Sequence, residues 1–178
     1  RSPEVWIICG CNAAVNLGWI FLNTWLPPYL EKTYGDYLTA TIGDKSAVVG
    51  AMTAMVGLAA ICGGLVGGAT TDRLVQAFGL AWGRRLPGMC AGVTVCVLYL
   101  IASQMRDVWI FVGLMVVIGF TIEFGLGASW AVYQDIAGKH VASVLGIGNM
   151  CGNLAAGAFA WLIGYLAKDG NWQTVFYI

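Results

Sequence analysis

Long apolar stretches run through this chain, and short polar segments separate them. A helix needs about 20 mainly apolar residues to cross a bilayer, and five stretches have that length, while a sixth begins at Trp172. The runs do not alternate with polar residues, which favours helices over the strands of a membrane barrel. The pattern predicts an all-α membrane protein with a single transmembrane domain over residues 1–178 and approximate spans at residues 5–29, 46–71, 86–104, 108–132, 141–167 and 172–178, the last one truncated.

The polar segments between these spans are predicted to be loops and turns. Two longer loops and three short turns are expected, with Gly138 ending a helix, at residues 31–45, 72–85, 104–107, 134–140 and 168–171. Basic residues near the helix ends are nearly balanced between the two sides, but Arg84 and Arg85 are adjacent in a short loop. The excess of basic residues in cytoplasmic loops therefore predicts that this loop faces the cytoplasm.

Composition excludes several classes of protein. Only 10% of the residues are charged and 59% are hydrophobic, whereas soluble domains have about 25% charged residues. The net charge is zero, which gives no reason to expect nucleic acid binding. The six cysteines all lie in apolar runs with no histidine beside them, so we expect no metal site and no cofactor. His140 lies in a polar turn, and there is no nucleophile–base pattern that would indicate an enzyme.

Polar side chains inside three of the spans indicate a hydrated cavity. Polar or aromatic residues recur at helical spacing in the first, fourth and fifth spans. They are Asn12, Asn16, Trp19 and Asn23, then Glu123, Trp130 and Gln134 with Gly127, and finally Asn149 and Asn153. An asparagine can also join two helices without any ligand, so each one separately is equally compatible with helix packing. Three stripes together favour a shared cavity, and Asn23, which is nearest a helix end, is expected to be structural.

Glu123 is the only acidic residue deep in a predicted span. An ionised carboxylate there needs a cation, water or a proton. Proton coupling, a cation contact and a simple position in a water-filled vestibule remain open. The second span has small residues on one face, at Gly57, Ala60, Gly64, Gly68 and Thr71, and a second pair at Gly63 and Gly67, which permits close helix packing.

Three segments resemble a known family. The second loop reads Gly68-Ala-Thr-Thr-Asp72-Arg73, followed after nine residues by Gly83-Arg84-Arg85. This is similar to the loop motif of major facilitator superfamily transporters, although the spacer is longer than in the consensus. The run Thr-Trp-Leu-Pro-Pro-Tyr that ends at Tyr29, and the passage from Ser129-Trp130 to Gly152-Asn153, are similar to helices 7, 10 and 11 of the anion:cation symporters in that superfamily.

The resemblance implies a fold and a function. The chain would be the C-terminal six-helix half of a twelve-helix major facilitator fold, with helices 7 to 11 and the start of 12, in the inner or plasma membrane. It implies a secondary transporter of small organic anions, such as hexuronates or aldonates, coupled to a proton or another cation. The substrate contacts implied by position are Asn12, Ser129, Trp130 and Asn149, while the N-terminal half that completes the site is missing.

Two other kinds of function stay open at this point. A transporter of the same fold could carry a neutral sugar or a drug-like cation, and Glu123 would suit a cation. A non-transporting membrane protein, such as a sensor or a membrane-embedded enzyme, would need a soluble domain or a catalytic cluster, and the sequence indicates neither.

Overall fold

A computed structural model describes residues 3–167 and 172–175 of the chain. The described residues are almost entirely helical. In chain order the elements are α1 (Pro3–Ile20), a π-helical segment (Phe21–Trp25), α2 (Leu26–Ile42), α3 (Lys45–Ala102), α4 (Val108–Ala137), a 3-10 turn (Gly138–His140), α5 (Val141–Ala167) and α6 (Trp172–Val175). Three continuous stretches are long and apolar enough to cross a membrane, namely Val5–Ile42, Lys45–Ala102 and Val108–Ala167.

The first apolar stretch does not end at its two prolines. Pro27 and Pro28 occupy the first positions of α2, where proline is tolerated because its missing N–H has no partner in the helix anyway. Helix α2 then continues to Ile42. Leu30, Tyr34 and Leu38, each four residues apart, are buried along one face of α2. The prediction of a loop at residues 31–45 is therefore wrong for residues 31–42. The four-residue spacing of the buried side chains is that of an amphipathic helix, although the stretch contains many polar residues.

The true break between α2 and α3 is only two residues long. Gly43 has a positive φ of 92°, which favours glycine. Asp44 caps α3 by accepting hydrogen bonds from the backbone N–H groups of Ser46 and Ala47. The hydrogen bond from Ala47, followed by that from the Ser46 side chain, lowers the pKa of Asp44 below its ordinary value.

Helix α3 folds back on itself at Gly79. This glycine has φ 78° and ψ 170°, which are not helical angles. A Cβ on Gly83 would collide with the backbone of Val75, although residues eight apart in a straight helix are about 12 Å apart. Instead of the predicted loop at residues 72–85, the structure has two helical arms that meet at one glycine. The chain turns again at residues 103–107, as predicted, and at Gly138, where φ is 51°.

Two closely packed helix pairs organise the bundle. Helix α3 packs along α4, and α1 packs along α5. The largest group of buried side chains lies at one end, around the π-helical segment and the start of α2, and includes Phe21, Leu26, Tyr29 and Phe111. The predicted turn Lys168–Asn171 and the end of the sixth span, residues 176–178, lie outside the described residues.

The α3–α4 interface is built on glycines. A Cβ on Gly63 would overlap the carbonyl oxygen of Phe120, and a Cβ on Gly67 would overlap that of Phe124. Such backbone contact requires residues without side chains. The predicted small face exists, but its closest contact is made by the second pair, Gly63 and Gly67. Gly64 and Gly68, from the first set, lie at the edge of the same interface, towards Glu123 and Gly127.

Candidate functional site

Asn12 and Asn16 lie in the interface between α1 and α5. Asn12 is buried, and its side-chain amide donates a hydrogen bond to the carbonyl oxygen of Gly148 on α5, at 2.9 Å. Asn16 donates to the backbone carbonyl of Asn12 at 2.8 Å. A Cβ on Gly152 would lie only 2.7 Å from the amide nitrogen of Asn16 and 2.9 Å from that of Asn12. The structure thus uses Asn12 to join two helices.

We expect Asn12→Ala to weaken this helix pair. The lost bond between Asn12 and Gly148 should lower the free energy of unfolding of the complete protein by about 0.5–1.5 kcal/mol. Asn23→Ala is the matched control, because Asn23 is exposed and bonds only to the carbonyl of Trp19 on its own helix. Thermal unfolding in detergent measures both variants. Equal stability of the two would contradict the role of Asn12 as a link between helices.

Asn149 and Asn153 form an exposed polar pair on α5. Asn153 donates to the backbone carbonyl of Asn149 at 2.8 Å, and lies 3.4 Å from its side-chain oxygen. Both residues are exposed, whereas Gly148 and Gly152 beside them face α1. The hydrogen bonds therefore fix the position of one amide relative to the other, and both amides remain accessible to an additional partner.

Trp130 and Ser129 face different parts of the bundle. Successive residues of a helix point about 100° apart. Trp130 is half-buried, and its ring lies 6.2 Å from the ring of Tyr133. Ser129 faces α1 and the second arm of α3, where it lines an apolar cavity of about 150 Å³ with Ala14 and Gly88. The structure therefore separates these two predicted contacts, which are neighbours in sequence.

Tyr133 connects Trp130 to α5, and sequence reasoning did not single it out. Its hydroxyl lies against Gly148 and donates to the carbonyl of Ile8 at 3.4 Å. Tyr133 therefore links Trp130 on α4 to Gly148 on α5, the residue that precedes Asn149 in the sequence. The seven-residue offset from Asn12 to Trp19 places Trp19 on the same side of α1, where it is half-buried against the core. The sequence signal for the role of Tyr133 was its position three residues after Trp130, which places both side chains on the same face of α4.

Glu123 lies beside the α3–α4 interface. It is half-buried, and its Oε2 lies 3.8 Å from the position of a Cβ built on Gly64. One turn further along α4, a Cβ on Gly127 would be 3.7 Å from the backbone nitrogen of Gly68. Among the residues that the structure describes, no hydrogen bond or ion pair involves the carboxylate of Glu123.

The predicted loop motif forms an ion cluster at the end of α4. Arg84 donates from Nε to Asp135 at 3.2 Å, and its Nη1 lies 3.8 Å from Asp72. Gly83 permits this arrangement because the chain folds so closely against Val75. Arg73 and Arg85 are exposed. Asp135 was not predicted as a partner of Arg84. The sequence signal for this pair was that both residues lie in segments expected on the same side of the membrane.

These positions divide the predicted residues into separate groups. Asn12 and Asn16 pack between helices, Asn149 is exposed on α5, Trp130 is half-buried on α4, and Ser129 lines a cavity. Glu123 precedes Trp130 by seven residues on α4, which is two helical turns or about 10 Å. The arrangement offers amide and indole groups for a polar ligand, with a separate carboxylate nearby.

Comparison with known proteins identifies the family of these helices. The profile of the Major Facilitator Superfamily matches residues 5–178. The "Probable galactarate/D-glucarate transporter GarP" of Escherichia coli K12 is 29% identical over 153 residues, which are 85% of this chain and 32% of that protein. A "Probable galactarate/D-glucarate transporter GudP" of Bacillus subtilis is 28% identical over 150 residues, or 83% of this chain and 31% of that protein.

A plant protein matches over nearly the whole chain. The "Probable anion transporter 4, chloroplastic" of Oryza sativa subsp. japonica is 23% identical over 178 residues, which are 99% of this chain and 29% of that protein. The chain thus spans about a third of the length of the curated relatives it matches. These relatives are transporters and not enzymes, and the long apolar helices are those of a multi-pass integral membrane protein. Because the family profile matches from residue 5 to residue 178, the chain belongs to the Major Facilitator Superfamily.

Proposed function

We propose that the complete protein is a secondary transporter of small organic anions, with sugar acids as its substrate class. The observation that carries this proposal is the similarity, over more than four fifths of the chain, to proteins named as galactarate/D-glucarate transporters. The plant relative, which is named as an anion transporter, supports a negatively charged substrate. In this proposal the chain is the C-terminal six-helix half, with five membrane helices and the beginning of a sixth.

The proposed substrate contacts in this chain are Trp130, Asn149 and Asn153. Amide groups donate to and accept from the hydroxyls and carboxylates of a sugar acid, while an indole covers the apolar face of a carbon chain. The exposure of Asn149 and Asn153, and the half-buried position of Trp130 beside Tyr133, which contacts Gly148 next to Asn149 in the sequence, support this choice. Transporter sites usually lie near the middle of the bilayer between two repeats, so the other half would supply the remaining contacts and any cationic group.

Alternating access is part of the same proposal. The ion cluster of Asp72, Arg84 and Asp135 holds the fold-back of α3 against the end of α4. With the Arg84 side in the cytoplasm, this cluster lies at the inner ends of the helices. The α3–α4 pair, joined by glycines and by this cluster, would then move as one body against the other half.

Uptake into proteoliposomes tests the function. We expect the complete protein to take up labelled D-glucarate, and unlabelled galactarate in about 100-fold excess to reduce that uptake by at least about tenfold, because the two diacids would compete for one site. An excess of a neutral hexose should leave uptake nearly unchanged, which is the control for charge. Uptake of the hexose and not of the diacid would contradict the proposed substrate class.

A further inference from the structure

Two cysteines from different helices lie side by side in the α1–α5 interface. Cys9 belongs to α1 and is buried, while Cys151 belongs to α5 and is half-buried. Their thiol groups are close enough to interact with each other. Both cysteines are free thiols, and neither has a part in the proposed substrate site. The pair therefore has a chemistry that the proposed function leaves unused.

The contacts around the pair place both thiols in the same short section of the interface. Asn12 of α1 donates to the carbonyl oxygen of Gly148 on α5 at 2.9 Å. Cys9 comes three residues before Asn12, and Cys151 comes three residues after Gly148. Residues three apart share a face of a helix, so the hydrogen bond of Asn12 brings together the two faces that carry the thiols.

Tyr133 of α4 lies against the same section. Its hydroxyl contacts Gly148 and donates to the carbonyl of Ile8, the residue before Cys9. Both Cys9 and Cys151 are close enough to this hydroxyl to interact with it electrostatically. Three helices thus hold the two thiols in one place, and their proximity does not depend on a single contact.

The two thiols differ in how easily a reagent can reach them. Cys151 is half-buried and open to a small molecule, whereas Cys9 is only 3% exposed. The side-chain amides of Asn12 and Asn16 lie against Gly152, the residue after Cys151, so the surroundings of the pair are polar. Partial exposure is typical of reactive cysteines, which indicates Cys151 as the thiol that reacts first and Cys9 as its resolving partner.

We propose that Cys9 and Cys151 are a reversible oxidation site, at which a hydroperoxide forms a disulfide that joins α1 to α5. The thiolate of Cys151 attacks an oxygen of hydrogen peroxide, so that an S–O bond forms, the O–O bond breaks, and a sulfenic acid and hydroxide result. The thiolate of Cys9 then attacks this sulfur, which forms the S–S bond and releases the oxygen as a second hydroxide. The two thiol protons convert both hydroxides to water, so two thiols are oxidised and one peroxide is reduced to two waters. A thiol reductant reverses the change by exchange.

The position of the pair suits a signal from the cytoplasm. Tyr133 is two residues before Asp135, which pairs with Arg84, so the thiols lie near the end of the bundle that carries this ion pair. That end is expected to face the cytoplasm, where thiols are ordinarily kept reduced. The pair therefore stays as two thiols under ordinary conditions and forms the disulfide under oxidative stress.

The disulfide is expected to slow transport. It requires Cα atoms that are about 4.4–6.8 Å apart, so it fixes how α1 and α5 lie against each other. Asn149, a proposed substrate contact, is two residues before Cys151 on α5, and the disulfide holds this contact in one arrangement relative to α1. This regulatory step rests on the proposed function, whereas the formation of the disulfide does not.

Peptide mass spectrometry tests the disulfide without requiring any substrate. The complete wild-type protein in liposomes is treated with hydrogen peroxide, and its remaining thiols are alkylated after denaturation. We expect a linked Cys9–Cys151 peptide to be at least about tenfold more abundant than a link between Cys9 and Cys11, because residues two apart do not face each other on a helix. Dithiothreitol should remove the link. Absence of the Cys9–Cys151 peptide, or an equal yield of the Cys9–Cys11 link, would overturn the proposal.

A second probe measures the closeness of the thiols without oxidation. Phenylarsine oxide forms two As–S bonds with a pair of neighbouring thiols and releases one water. It should protect Cys151 of the wild-type protein from alkylation, and the protection should fall severalfold in Cys9→Ala, where a single thiol remains. Cys62→Ala, at an exposed position of α3, is the matched control and should leave the protection unchanged. Equal protection of Cys151 in the two variants would contradict the pairing.

Uptake of labelled D-glucarate by the complete protein tests the regulatory step. Hydrogen peroxide should slow uptake by the wild-type protein and by Cys62→Ala severalfold, and dithiothreitol should restore it, while uptake by Cys9→Ala should not respond. Unchanged uptake by a wild-type protein that carries the linked peptide, or equal inhibition of Cys9→Ala, would overturn the regulation. If the wild-type protein carries no sugar acid, the proposed function fails, while the peptide and arsenical results still decide whether the two thiols form one site.

Discussion

Gly67→Ala is expected to cause a large loss of stability in this protein. A methyl group at Gly67 would overlap the carbonyl oxygen of Phe124 and lie 2.6 Å from its Cα. The obstructing atoms are backbone, so no side chain can rotate away, and α3 and α4 would have to move apart. Overpacking of this kind costs about 1–3 kcal/mol, and we expect the upper end here. Thermal unfolding of the complete protein in detergent measures the effect.

The control for Gly67→Ala is the same substitution on an open face of the same helix. Gly57 is exposed and has nothing within 4 Å of an added Cβ, so Gly57→Ala should change stability by no more than about 1 kcal/mol, with a gain expected from the better helix propensity of alanine. Gly63→Ala should behave like Gly67→Ala, because it meets the backbone of Phe120 in the same way. If Gly67→Ala unfolds at the temperature of Gly57→Ala, the close contact between α3 and α4 is not present in the membrane protein.

Loss of the Trp130 side chain is expected to have the largest effect on substrate affinity. In the proposed site, Trp130→Ala removes the apolar surface against which the sugar acid packs, and the Kd for D-glucarate should rise by at least about tenfold, or ~1.4 kcal/mol. Asn149→Ala removes one neutral hydrogen bond, which is worth about 0.5–1.5 kcal/mol, so that affinity should fall by about 2- to 13-fold. Equilibrium binding to the purified complete protein measures both changes.

The neighbouring residue Ser129 provides a matched comparison. It faces the cavity beside Ala14 and Gly88 rather than the neighbourhood of Trp130 and Tyr133. Ser129→Ala should therefore change the Kd by less than about twofold, although the family resemblance implies a substrate contact there. A Kd that rises for Ser129→Ala but not for Trp130→Ala would move the substrate site to the other side of α4.

The membrane class and the family could be read from the sequence alone. Long apolar runs with few charges leave no alternative to spanning helices, because an unpaired backbone in lipid is too costly. The loop motif around Asp72 and Arg84 and the passage after Trp130 identified the superfamily, and the family match confirmed it. These properties depend on residue types at fixed spacing, which is information that the sequence holds in full.

Helix ends were less predictable, because they depend on packing. The first span was predicted to end at residue 29, just after its two prolines, but these prolines begin α2. The polar residues of α2 remain helical because Leu30, Tyr34 and Leu38 are buried in the core. The fold-back of α3 depends on the backbone angles of Gly79. The sequence predicted a loop at residues 72–85 around Gly79, but not that two helical arms would meet at this one glycine.

Tertiary structure alone decided which polar residues meet. Asn12 and Asn149 each begin a pair of asparagines four residues apart in an apolar span. Asn12, however, is buried and donates a hydrogen bond to the carbonyl of Gly148, while Asn149 is exposed. The pairing of Arg84 with Asp135, 51 residues apart, and the approach of Glu123 to Gly64 likewise depend on how α3 and α4 align. A helical pattern specifies the direction of a side chain around its own axis, but the partner it meets is set by the neighbouring helix, and contact between helices is a property of the assembled bundle.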